Sequence, residues 1–243
     1  MKAVSQYSVC LLELGKVKVK AKSMTYFLPH LEPVTKEFTF VRAKPTDIAH
    51  GFSQFASQTR GTSVWRTTHF RAANLESAVS RLDRSRRSQA EYLLVPTDSE
   101  WTALFELHCG WNGGDINTTP ARISYFTPAD AIGLIMARDT ERAHRSDPKI
   151  ELQYGSIRFD FVRNGEVIRH VQAMNSASGG GWEFHTFGEP LPKENLSNFS
   201  NREIADRFTF DNLVELLSSQ FGIQLLDESF YKPQLGCILL IHV

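Results

Sequence analysis

The chain has 243 residues, 42% of them hydrophobic and 22% charged, an ordinary globular composition. Lysine plus arginine and aspartate plus glutamate balance at 27 each, which argues against a dedicated nucleic-acid binder and against a polybasic membrane-surface protein. Three scattered cysteines, Cys10, Cys109 and Cys237, form no CxxC pair, and no apolar run reaches the ~18 residues of a membrane-spanning helix, so the expected location is the cytoplasm.

Residues 1–23 differ in pattern from the rest of the chain. Residues 15–20 alternate apolar and basic, as an exposed edge strand does, and the segment reads as an N-terminal extension, with Met24 a candidate natural start. Residues 24–243 read as one domain that could divide into sub-lobes at about 24–110 and 111–243. Residues 38–41 are aromatic and β-branched, which predicts a strand. Pro45, Thr46 and Asp47 open a helix with Ile48, Phe52 and Phe55 on one face, and Gly51 weakens it. After a strand at 64–70, Asn74 caps a helix that points Leu75, Ala78, Val79 and Leu82 inward and ends in Arg81, Arg84, Arg86 and Arg87, where cations suit the dipole.

Residues 92–95 form a short buried strand, and 101–107 its partner, with Trp101, Ala103, Phe105 and Leu107 on one face. Gly110, Gly113 and Gly114 make a loop around Trp111, and Trp111 and Asp115 are candidates for lining a pocket there. Thr119-Pro120 opens a short helix, and 134–137 is another strand. Asn164-Gly165 then marks a tight hairpin. A two-residue turn opposes Arg163 to Glu166, Phe161 to Ile168 and Phe159 to His170. It puts Ile157, Phe159, Phe161 and Ile168 on the core face and sets Asp160 against Arg169 as a surface ion pair.

A loop at 176–181 leads to a strand with Trp182, Phe184 and Thr186 on one face and Glu183, His185 and Phe187 on the other, ended by Gly188 and Pro190. Glu203, Asp206 and Arg207 read as a local ion-pair cluster or as charge presented to a partner. The clearest helix covers 210–221. Thr209 caps it, Asp211 sits in its first turn, Leu213, Leu216, Leu217 and Phe221 make one apolar face, and Gly222 ends it. That face is expected to pack on the sheet carrying Phe159, Phe161 and Trp182. A turn at 230–233 precedes a last strand at 237–242. The fold class expected is α+β: a largely antiparallel sheet with helices packed on one face.

No catalytic or cofactor motif is found. The eight histidines are scattered, with no HExxH, and no metal is expected. Gly179, Gly180 and Gly181 lead into a strand rather than a helix, no Gly-Lys-Ser/Thr follows, and no cofactor is expected. Cys109, with His108 or His185, is a weak candidate nucleophile, and a small buried thiol is the plainer reading. His170 reads as a core histidine.

The pattern Trp182-x-Phe184, Gly188-Glu189-Pro190-Leu191, Asp206-Arg207-Phe208-Thr209, Leu217, Phe221-Gly222-Ile223 and Phe230-Tyr231 resembles the C-terminal part of a family of uncharacterised bacterial proteins. Trp101-Thr102-Ala103 and Gly114-Asp115 are weaker upstream matches. The resemblance implies a bacterial, intracellular protein and carries over no catalytic residue. The expected function is therefore non-enzymatic protein binding, most concretely a toxin-neutralising, immunity-like role, with a protein partner and with no nucleic acid or membrane. The alternative is a small-molecule enzyme, a hydrolase or transferase, with a site near the Trp111 loop and the Trp182 strand. The residues chosen for binding are Trp111, Asp115, Trp182, Glu189 and Arg207.

Overall fold

A computed structural model describes residues 27, 35–59, 65–82, 90–107, 118–150, 152–176 and 180–242, without the side chains of 55–59. The expectations for residues 1–23, Met24, His108, Cys109, Trp111 and Asp115 lie outside these residues. Nine strands make one sheet: β1 (Glu37–Val41), β2 (Trp65–Phe70), β3 (Glu91–Pro96), β4 (Thr102–Leu107), β5 (Ala131–Ala137), β6 (Ser156–Arg163), β7 (Glu166–Ser176), β8 (Gly181–Phe187) and β9 (Cys237–His242). Their order is β2-β9-β3-β4-β1-β5-β6-β7-β8, and every neighbouring pair is antiparallel. The helices are α1 (Pro45–Thr59), α2 (Leu75–Val79), α3 (Thr119–Phe126), α4 (Glu141–Ser146) and α5 (Phe210–Phe221).

Helices lie on both faces of the sheet, not on one. Successive residues of a strand point to opposite faces, and β3 and β4 split accordingly. Leu93, Val95, Ala103 and Phe105 join Phe38, Phe40, Phe159 and the α5 leucines in one core. Tyr92, Leu94, Leu104, Ile238 and Leu240 join Ile48 and Phe52 of α1 and Ile123 of α3 in a second. An unbroken apolar run is what a strand buried on both sides requires. Gly51 has a packing reason: a Cβ there would sit 2.7 Å from Thr127 Cγ2, so its absence lets α1 approach the end of α3.

The α5 helix is specified locally. The Thr209 hydroxyl accepts from the Asn212 backbone N–H while the Asn212 side chain accepts from the Thr209 backbone N–H, a reciprocal cap, and Gly222 closes the helix at φ 68°. Leu213, Leu216 and Leu217 are buried in the core that holds Phe159 and Phe161, with Trp182 packed against it. The Phe221 ring lies 5.4 Å from that of Phe161 and 5.9 Å from that of Phe159. A similar reciprocal cap joins Asn74 and Ser77 at the start of α2.

The β6–β7 hairpin turns at Asn164 and Gly165, both at positive φ, as the tightest hairpin turn demands. Arg163 faces Glu166 as expected, but the register then shifts by one. Phe161 pairs with Arg169 rather than Ile168, and Phe159 with Val171 rather than His170. Ile168 is the extra residue of a β-bulge. A one-residue slip exchanges the faces of every later side chain, so Val171 and Ala173 enter the core while Ile168 is 39% exposed. Asp160 does not meet Arg169; its cross-strand partner is His170. The chain leaving β8 presses on this point: a Cβ on Gly188 would stand 1.9 Å from the Ile168 carbonyl oxygen. Among the described residues no helix is long and apolar enough to cross a membrane.

Candidate functional site

On α5's side of the sheet, β6, β7 and β8 bury Phe159, Val171 and Ala173. The opposite side carries the alternate residues. Asp160, His170 and Phe187 stand in one cross-strand row, and Arg158, Gln172 and His185 in the next. Helix α1 lies over β2, β3 and β9, and α3 reaches β5 and β6. Toward β8 the side chains become solvent-exposed, and Phe187 at the strand end is 64% exposed.

At the centre of this half-face Asp160 is buried. Arg158 donates to its Oδ2 through Nε at 2.7 Å and Nη2 at 2.6 Å, and His170 Nδ1 lies 2.6 Å from its Oδ1. A buried carboxylate is tolerated only when such partners replace its water. The same contacts fix both donors: Arg158 is tied down at two nitrogens, and His170 is held through Nδ1. His170 thus belongs to a polar cluster, not to the apolar core. Beside it Gln172 donates to Ser156 Oγ at 3.0 Å, and His185 Nε2 lies 3.0 Å from Glu183.

A second feature lies beside the hairpin tip, where the chain after β8 meets the end of α5. It is a cavity of about 370 Å³. Trp101, Phe161, Ile168, Leu191 and Phe221 give it apolar walls, and two ion pairs form its rim. Arg163 grips Asp130 with two bonds, at 2.8 and 3.1 Å. Arg42 holds Glu100 at 2.8 Å and comes within 3.8 Å of Asp130. Hydrogen bonding to Glu100 raises the Arg42 pKa and hydrogen bonding to Asp130 raises that of Arg163, so both stay charged.

A buried latch holds the outer wall. Arg169 donates to both carboxylate oxygens of Glu194, to Thr186 Oγ1 at 2.6 Å, and to the carbonyls of Phe187 and Gly188 at 3.0 and 2.8 Å. Glu194 also accepts from the Leu191 N–H at 3.0 Å.

Of the candidate binding residues, the described ones are Trp182, Glu189 and Arg207. Trp182 is half-buried over Gly155, where a Cβ would stand 2.8 Å from its Cη2. The Arg207 guanidinium lies 5.9 Å from the Phe184 ring centre and donates to the Asn201 carbonyl at 2.9 Å, so it braces the chain before α5 rather than pairing with Glu203 or Asp206. Glu189 is exposed in the turn after β8. None of the three lines the cavity. The residues that do form a site, Arg158, Asp160 and His170, carry no sequence signal of their own, because an aspartate between two core phenylalanines is the ordinary alternation of a strand with one polar face.

Cys237 is buried, its thiol pushed up to about 11 by that burial, which removes it as a nucleophile. Among the described residues no three histidine, cysteine or carboxylate side chains are placed to share a metal ion. Compared with protein-family models, curated proteins and solved structures, the chain gives no match.

Proposed function

We propose that this chain is a non-enzymatic binding protein that meets its partner with the half-face of β6–β8 opposite α5. The observation that carries this reading is the buried Asp160 and the two side chains it fixes, Arg158 and His170, on a sheet face that opens to solvent toward β8. Side chains held rigidly before contact lose less entropy on binding. The surface pairs donor-rich residues with an exposed aromatic, Phe187, at its edge, the mix that dominates binding energy in protein interfaces. The partner it fits is a protein presenting carboxylates beside an apolar contact. A toxin-neutralising role in a bacterial cytoplasm is the most concrete form of the reading.

A second reading, a hydrolase or transferase, draws on the same pair, because a buried carboxylate that orients an imidazole is how a general base is built. It ranks second because, among the described residues, His170 has no hydroxyl or thiol within hydrogen-bonding distance to activate. The deciding experiment is affinity capture with the full chain and with a Phe187→Glu, His185→Glu double variant of unchanged Tm. The reading expects a protein retained by the first and lost by the second, confirmed by titration of the purified pair. Identical retention by both would remove the proposed surface.

A further inference from the structure

We infer that the cavity beside the hairpin tip is a binding site for a small monocarboxylate with an apolar body, a site separate from the β6–β8 half-face. Its volume of about 370 Å³ falls in the ~300–1,000 Å³ range of small-molecule sites. The walls of Phe161, Phe221, Ile168 and Leu191 suit a ring or short alkyl chain. At the rim two guanidiniums converge on one carboxylate, Asp130, and that geometry fixes the ligand's charged end.

The four rim charges are not equivalent. Asp130 is largely shielded and has both oxygens committed to Arg163. Glu100 is 57% exposed and holds Arg42 by a surface pair. Exposed pairs of this kind hold only weakly against water, so an arriving carboxylate displaces Glu100 at little cost. A guanidinium has five N–H donors, and Asp130 occupies two on Arg163. The rest are available to the ligand, together with those Arg42 gives up from Glu100. Arg163 also lies 5.3 Å from the Phe161 ring centre, which holds the cation over the wall that receives the apolar body. An uncharged amide would gain the walls and a neutral hydrogen bond at the rim, but not the charge-assisted bidentate pairing of a carboxylate.

The test is isothermal titration of the full chain with 3-phenylpropionate, hexanoate and 2-naphthoate at low salt, alongside 3-phenylpropanamide. The expected result is saturable binding of at least one acid, with the amide at least tenfold weaker than 3-phenylpropionate. Arg42→Met should weaken binding tenfold or more. Glu100→Gln, an exposed change that leaves the fold intact, should tighten it severalfold by removing the competing carboxylate. Absence of saturable binding by all three acids, equal binding of acid and amide, or weaker binding by Glu100→Gln would each overturn the assignment.

Discussion

Replacing Glu194 with glutamine should remove much of the margin that keeps this chain native, although the change alters one atom. The Arg169 and Glu194 side chains are 3% and 2% exposed, so neither charge is shared with water. Glutamine keeps the shape and one acceptor but removes the negative charge, leaving a buried guanidinium uncompensated. Breaking a buried pair by removing one partner costs about 3–5 kcal/mol, and the total stability of a domain is typically ~5–15 kcal/mol. The loss propagates, because Arg169 also ties the carbonyls of Phe187 and Gly188 and Glu194 holds the Leu191 N–H. At a urea slope of roughly 2–3 kcal/mol/M the midpoint should fall by about 1–2 M. Arg169→Lys should also destabilise, since an ammonium lacks the planar fork that reaches five acceptor atoms. A Glu194→Gln midpoint within ~0.2 M of the parent would refute the idea that this latch secures the chain between β8 and α5.

Leu217→Ala, in the buried face of α5, should cost about 2–5 kcal/mol in a thermal melt, while Glu215→Ala on its exposed face should change Tm little. Gly188→Ala should be severely destabilising, because φ is +79° and the Cβ would collide with the Ile168 carbonyl; Gly181→Ala, at φ +83° with open space around it, should cost only about 1 kcal/mol. The Cys237 thiol is raised from 9.0 to about 11 in the fold, so its contribution is complete below pH 9 and lost as pH climbs through 11, on the order of a few kcal/mol. Tyr92 and Tyr231, both raised well above the usual phenol range by burial, push the same way. Denaturation midpoints should therefore decline above pH 9, with a shallower decline in Cys237→Ala, and the native thiol should resist alkylation at pH 8.

The helix α5 was readable because its determinants are local: a cap, a spacing and a left-handed glycine within fourteen residues of one another. The hairpin turn was readable for the same reason, at Asn164-Gly165. Its register was not. The bulge at Ile168 packs against the backbone of Gly188, twenty residues away, and the register expected from the turn holds only for the first two pairs. Arg169 looked like a surface partner for Asp160, yet the slip sends it inward to a glutamate 25 residues on. The helix α4 has no buried residue and hence no apolar period to find. Trp182 and Arg207 stand out in the sequence as large, sticky side chains, but Gly155 and Phe184 give each of them a packing partner. The Asp160 cluster needed the true register before its members could be seen to touch.

The most direct test of the proposed binding surface is amide hydrogen exchange on the chain alone and saturated with its captured partner. Slowed exchange on binding is predicted in peptides spanning 166–176 and 181–187, with α1 and β2 unchanged. Protection confined to α1 and β2, with 166–187 exchanging as in the free chain, would contradict it.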